Sequence, residues 1–287
     1  MLRAICGKPH RLVPAAKFAT GQMPFGRRQR HLGGLLCSEV GIAVVAVQGR
    51  ADNAIKSLFT DTLAGWRDSA AASQAELGSI ATSLEGVFAH ANVRKRYIKA
   101  AAGLGVARDP QDIWEGFLNL PLRSWPKAPI HGDLHGENVQ VRGDDAIIID
   151  SAKVTMGPPG ADPACLEVWI AFKLPPTGYE VDEAAWLRTI QELFAYRQVV
   201  SPPDLDPTAP VGWLHDGIAR KGTVALTSCQ PFDYAITLAL YLLRRATFDP
   251  DISGMKVDEH CRTWAWILGC QLLEAVQKIY VQYKEAA

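Results

Sequence analysis

The chain has 287 residues, of which 48% are hydrophobic and 21% charged, enough for one large domain or two modest ones and too apolar for a disordered chain. Lys plus Arg and Asp plus Glu balance at 30 each, so no net charge draws the chain to nucleic acid or to an anionic membrane, and neither is expected as a partner. The six cysteines form no Cys-x-x-Cys pair and no zinc-ligand spacing, and the N-terminus carries no apolar run of signal-peptide length, a pattern that predicts reduced thiols in a cytoplasmic protein.

Residues 1–50 are rich in Gly and Arg and hold one strand-like run, 41-GIAVVAV-47. From Asp52 the texture becomes helical. Ile55, Leu58, Phe59 and Leu63 recur at helical spacing, and Leu77, Ile80, Leu84, Val87 and Phe88 predict a second helix. Pro121, Pro126 and Pro129 mark a loop. A hairpin is expected next, with Val139 and Val141 in its first arm, 142-RGDD-145 as its turn and 146-AIII-149 as its second arm. Two more loops are expected at 157-GPPGADP-163 and 201-SPPDLDPTAP-210. The run 232-FDYAITLALYLLRRA-246 is apolar almost all round and predicts a buried helix, too short in its greasy part to span a bilayer. A last helix is expected from Trp264 to Tyr283, with an apolar stripe at Ile267, Leu268, Leu272, Val276 and Ile279. The basic stretches Arg27-Arg28-Gln29-Arg30-His31 and Arg94-Lys95-Arg96 read as solvated faces.

One segment concentrates chemistry, 130-IHGDLHGENVQVRGDDAIIID-150. Asp133 and Asn138 stand five residues apart, and Asp150 follows twelve later at the end of the apolar second arm. Protein kinases have the same Asp-to-Asn interval in their catalytic loop, with a second Asp after a short strand. The residue types suit phosphoryl transfer from ATP, which needs a carboxylate to orient the attacking hydroxyl and hard oxygen ligands for Mg²⁺. A hairpin would bring Asp150 back beside the loop. His131, Asp133 and His135 could alternatively begin a hydrolase metal site, completed by His215, Asp216 or His260.

The set His131-Gly132-Asp133-Leu134-His135, Asn138 and Ile149-Asp150 resembles the H-G-D-x-H-x-x-N…I-D signature of the aminoglycoside phosphotransferase and choline kinase-like family, over roughly residues 40 to 287. That resemblance implies an α+β, protein kinase-like fold. Residues 1–50 would form a small N-lobe and hinge, and residues 51–287 a large helical catalytic lobe containing the hairpin. It implies ATP and Mg²⁺ as cofactors and a small-molecule hydroxyl as acceptor. Asp133 would be the catalytic base, and Asn138 and Asp150 the magnesium ligands. His131, Gly132, His135 and Asp162 would support the loop, and the strand Ala43–Gly49, with Val45 and Val47, would contact adenine.

The sequence also departs from that pattern. Gly136-Glu137 stands where Pro-Gly is frequent, and Ser151-Ala152 follows Asp150. No G-x-G-x-x-G loop precedes the motif, only Gly33-Gly34, and the nearest match to a strand lysine is Lys17, with Glu39 as its possible partner. An abbreviated N-lobe is therefore expected. The competing class is a non-catalytic kinase-like module that binds nucleotide or a partner.

Overall fold

A computed structural model describes residues 30–31, 53–72, 75–142, 145–172, 183–200, 229–248 and 255–286. The strand expected at 41–47, Val45 and Val47 within it, Lys17, Glu39, Gly33-Gly34, the 201–210 loop, His215 and Asp216 lie outside the described residues. Within them the chain is mixed but mostly helical, and no helix is long and apolar enough to cross a membrane.

Strand β1, Arg30–His31, is followed by helix α1 at 53–57, which widens at Leu58–Thr62 into a π turn closed by a 2.9 Å bond from Leu63 N–H to the Leu58 carbonyl. Helix α2 covers Ala64–Ala72. The helix expected from Leu77 to Phe88 does not form. Its first part is strand β2, Ala75–Gly78, and only one turn, α3 at Ile80–Ser83, is helical, capped by Ser79 Oγ accepting from Thr82 N–H. Helical periodicity still buries Ile80, Leu84 and Phe88, while Leu77 points to solvent. Pairing of β2 with a distant strand decides the local structure.

After α4, Lys95–Gly103, and α5, Pro110–Leu118, comes the stretch expected to be a proline loop. It contains that partner, β3 at Arg123–Pro126, and then β4 at Ala128–Ile130. Strand β3 pairs antiparallel with β2, Gly78 opposite Arg123. Each strand belongs to a two-stranded sheet with one open edge, where a proline's missing N–H breaks no ladder.

The hairpin forms as expected. Strands β5, Val139–Arg142, and β6, Asp145–Ile148, pair with Val139 opposite Ile148 and Arg142 opposite Asp145. Strand β1 adds to the far side of β5. The exposed edge of β6 is closed by side chains: Ala146 N–H donates to Ser57 Oγ, and Thr62 Oγ1 donates to the Ala146 carbonyl. Ser57 precedes the π turn and Thr62 is its last residue, so both ends of the turn meet Ala146.

Strand β7, Thr155–Gly157, pairs with β4, and helix α6, Ala161–Phe172, starts inside the segment expected to be loop. Helices α7, Glu183–Leu193, and α8, Tyr196–Val200, precede the buried α9, Pro231–Arg244. The last helix, α10, runs from Met255 to Ala286 and so starts earlier than its apolar stripe suggested. Gly269 lets α10 approach α9, since a Cβ there would lie 2.7 Å from Leu243 Cγ.

Two apolar cores result. The larger gathers α3 to α5 and α6 to α10 around Phe88, Tyr97, Trp266 and Tyr241. The smaller packs Ile55, Leu58, Phe59 and Trp66 against Val139, Val141, Ala146 and Ile148 of the hairpin. Helix α6 belongs to both, giving Cys165 and Val168 to the first and Leu166 and Ile170 to the second. Every α6 residue except Trp169 is buried.

Candidate active site

The loop between β4 and β5 is fixed by a few specific bonds. The backbone at Gly132 is left-handed (φ 77°), and a Cβ there would fall 2.7 Å from the Lys153 carbonyl oxygen, so this position needs glycine on both counts. Asp162, in the first turn of α6, is buried and accepts the N–H groups of His131 (2.7 Å) and Gly132 (3.1 Å). Burial pushes its carboxyl up to about 6, against the opposing pull of those two N–H groups and of His131.

The His131 ring is fully buried and its Nε2 lies 2.9 Å from the Ile149 carbonyl. A carbonyl only accepts, so Nε2 carries the proton. Ile149 N–H in turn donates to the Asn138 carbonyl at 2.9 Å, and the Asn138 side-chain amide donates from Nδ2 to the Asp133 carbonyl at 3.0 Å. Two of these bonds join Ile149, the residue before Asp150, to the start and end of the loop, and the third ties the Asn138 side chain to the Asp133 backbone. The Asn138 amide is oriented by its nitrogen, so Oδ1 is the atom left to bind. Asp150 is the one non-glycine among the described residues with positive φ (55°), a conformation that tertiary contacts must hold in place.

Asp133 lies at the floor of a cleft of about 240 Å³ whose lining includes His135, Lys153, Trp169, Tyr241 and Arg244. One carboxylate oxygen accepts from Lys153 Nζ at 2.6 Å, the other from Arg244 at 2.8 Å. Partial burial opposes ionisation, but the two cations outweigh it and hold the Asp133 carboxyl below its usual range. The Arg244 guanidinium is itself set between the rings of Tyr241 (5.8 Å) and Phe248 (5.4 Å). Burial lowers His135, which is therefore neutral near pH 7, and its ring stacks on Trp169 at 6.2 Å. Trp169 also explains Gly136: a Cβ there would lie 2.3 Å from the indole ring.

Of the expected loop supports, His131, Gly132 and Asp162 make the bonds that fix the backbone, whereas the His135 ring faces the cleft. Lys153, Trp169, Tyr241 and Arg244 were not anticipated. The sequence signal for Arg244 was the Arg244-Arg245 pair closing an otherwise apolar helix, a position that carries two cations into a buried setting.

A hydrolase metal site finds no support here. Among the described residues no three His, Cys, Asp or Glu side chains converge on a point. His131 Nε2 is committed to a carbonyl, and His260 accepts from Trp264 Nε1 at 3.0 Å. Mg²⁺ asks less of the protein, one or two hard oxygens completed by phosphates and water. Asn138 Oδ1 and the exposed Asp150 carboxylate fit that requirement.

The model of the phosphotransferase enzyme family, APH, matches residues 29–199, more than half of the chain, and the chain belongs to that family. The matched segment runs from β1 through α8 and contains the whole loop and hairpin. Tyr241, Arg244, Arg245 and Phe248 lie beyond it. No curated protein matches the chain.

Proposed function

We propose that this phosphotransferase moves the γ-phosphoryl group of ATP, with Mg²⁺, to a hydroxyl of a small molecule, on a kinase-like fold with a reduced N-lobe. The observation that carries the reading is the bonded frame that links Asp133, which lines the cleft, through Asn138 to Ile149, the residue before Asp150. In the reaction the acceptor oxygen forms a bond to the γ-phosphorus as the bond to the ADP oxygen breaks. ADP keeps the electron pair, and the acceptor's proton passes to Asp133.

A carboxylate held low by Lys153 and Arg244 is a weak base. That is sufficient where the transition state is loose, because the hydroxyl proton is lost late and orientation contributes most. The two cations fix the direction of the carboxylate, and Lys153, which closes the turn just after Asp150, would offset the charge of the incoming phosphoryl group. Asn138 Oδ1 and Asp150 would hold Mg²⁺, which supplies charge neutralisation on the phosphates when bound.

The test is calorimetry of ATP binding with and without Mg²⁺. Affinity in the native chain should rise with the metal, and Asp150→Asn, which tolerates the left-handed backbone, should remove most of that dependence. Equal Mg²⁺ dependence in the two proteins would overturn the assignment of Asp150.

A further inference from the structure

The cleft at Asp133 is electrically lopsided. Its described lining carries three cations, Lys153, Arg244 and Arg245, against the single carboxylate of Asp133. His135, its ring stacked on Trp169, also lines the cleft. The remaining lining is apolar or aromatic, with Val168, Trp169, Tyr241 and Phe248.

The cations divide by position. Lys153 closes the 3-10 turn that begins just after Asp150, so it approaches Asp133 from the side of the candidate metal oxygens. Arg244 and Arg245 come from the end of α9, on the helical side of the cleft. Arg244 is prepositioned there by two aromatic rings, by Asp133 and by a 3.8 Å contact to Cys165 Sγ. Its side chain is only 15% exposed, so a charge beside it would be felt with little screening by water. Among the described residues the Tyr241 hydroxyl and His135 Nδ1, from the same lining, find no hydrogen-bond partner.

We infer that the acceptor is an alcohol carrying its own anionic group, a carboxylate or a phosphate, seated against Arg244 and Arg245 with its apolar body against Trp169, Tyr241 and Phe248. The inference rests on the phosphotransferase reading and deepens it. Asp133 then takes the hydroxyl while the arginines take the anion, and the two contacts fix which oxygen faces the phosphoryl group. A cationic acceptor such as an amino alcohol would instead bring like charge against a partly buried arginine, at a cost few other contacts here could offset.

The full chain, with Mg²⁺ and the non-hydrolysable ATP analogue AMP-PNP present, is titrated at millimolar concentrations with phenyllactate, glycerol phosphate and phenylalaninol. Calorimetry and thermal shift are the readouts. At least one of the two anions should bind and raise the melting temperature, and which one does so tells carboxylate from phosphate; phenylalaninol should do neither. Arg245→Gln should weaken that anion by roughly tenfold to a hundredfold, as loss of a charge-assisted bond does, and Arg245→Lys should restore part of it. Binding of phenylalaninol in preference to both anions, or of neither anion, overturns the inference. So does an Arg245→Gln effect that falls on AMP-PNP and spares the anion. Failure of AMP-PNP to bind with Mg²⁺ counts against the phosphotransferase reading and is seen separately, in the titrations that precede addition of any acceptor.

Discussion

Replacing Asp133 by Asn is expected to lower phosphoryl transfer by roughly 10²–10⁴-fold while leaving the chain folded. The amide keeps the shape of the side chain, and its Oδ1 can still accept from Arg244. Its Nδ2 would then oppose Lys153 Nζ, but Lys153 is 60% exposed and can turn to water. The structural cost is thus concentrated on Arg244, which loses a charged partner but keeps its aromatic neighbours, at about 1–3 kcal/mol. Turnover and melting temperature measured on the same preparation separate the two effects. Turnover within a few fold of the native chain would show that Asp133 does not act on the acceptor.

The pH dependence carries a second check on the same residue. The Asp133 carboxyl is lowered in the fold, so its contribution to stability is present above the unfolded value, about 4, and is lost as pH falls through its folded value. Asp133 should therefore stay ionised through the range from neutral to mildly acidic, and turnover should not fall there on its account.

Asp162→Ala is the other substitution with a large expected effect, and its signature is a split between activity and stability. Two backbone N–H groups, of His131 and Gly132, lose their acceptor, which costs about 1–3 kcal/mol each. Against this, burial opposes the charged form of the native carboxylate and raises it from 3.8 to about 6, a penalty the variant no longer carries. Stability at pH 7 should therefore change modestly. Turnover should fall by about a hundredfold or more, because the pins that aim Asp133 are gone and misplacement near an angstrom suffices for that. Because the folded value is raised, this group's contribution to stability is full below about pH 4 and is lost as pH rises through about 6. Urea unfolding at several pH values should show that decline in the native chain and its absence in the variant. A variant with full turnover would remove Asp162 from the support of the loop.

The hairpin and its flanking residues were legible because each carried a local signal. Val139, Val141 and the Ala146 to Ile149 run alternate or cluster as strands do, and the Asp133 to Asn138 interval is fixed by the loop itself. The strands β2, β3 and β4 were not legible. Leu77 through Phe88 follow a helical period, and Pro126 and Pro129 argue for loop, yet β2 pairs with β3 about fifty residues on, and β4 with β7 about thirty residues on, which makes β-structure of both regions. Asp162 could be named by resemblance, but its position at the head of a helix was hidden by a Gly-Pro-rich run. Arg244 meets Asp133 across 111 residues, a contact made by the packing of α9 on α6 and marked by no motif.

Helix α6 has a consequence for how the molecule opens. Its residues are shared between the cores, Cys165 and Val168 on one side and Leu166 and Ile170 on the other, with Asp162 at its head gripping the loop. Parting either core from this helix exposes the α6 residues that core buries. The shared helix thereby couples the hairpin to the helical lobe. The geometry at Asp133 is thus tied to the packing of both cores as well as to its own hydrogen bonds.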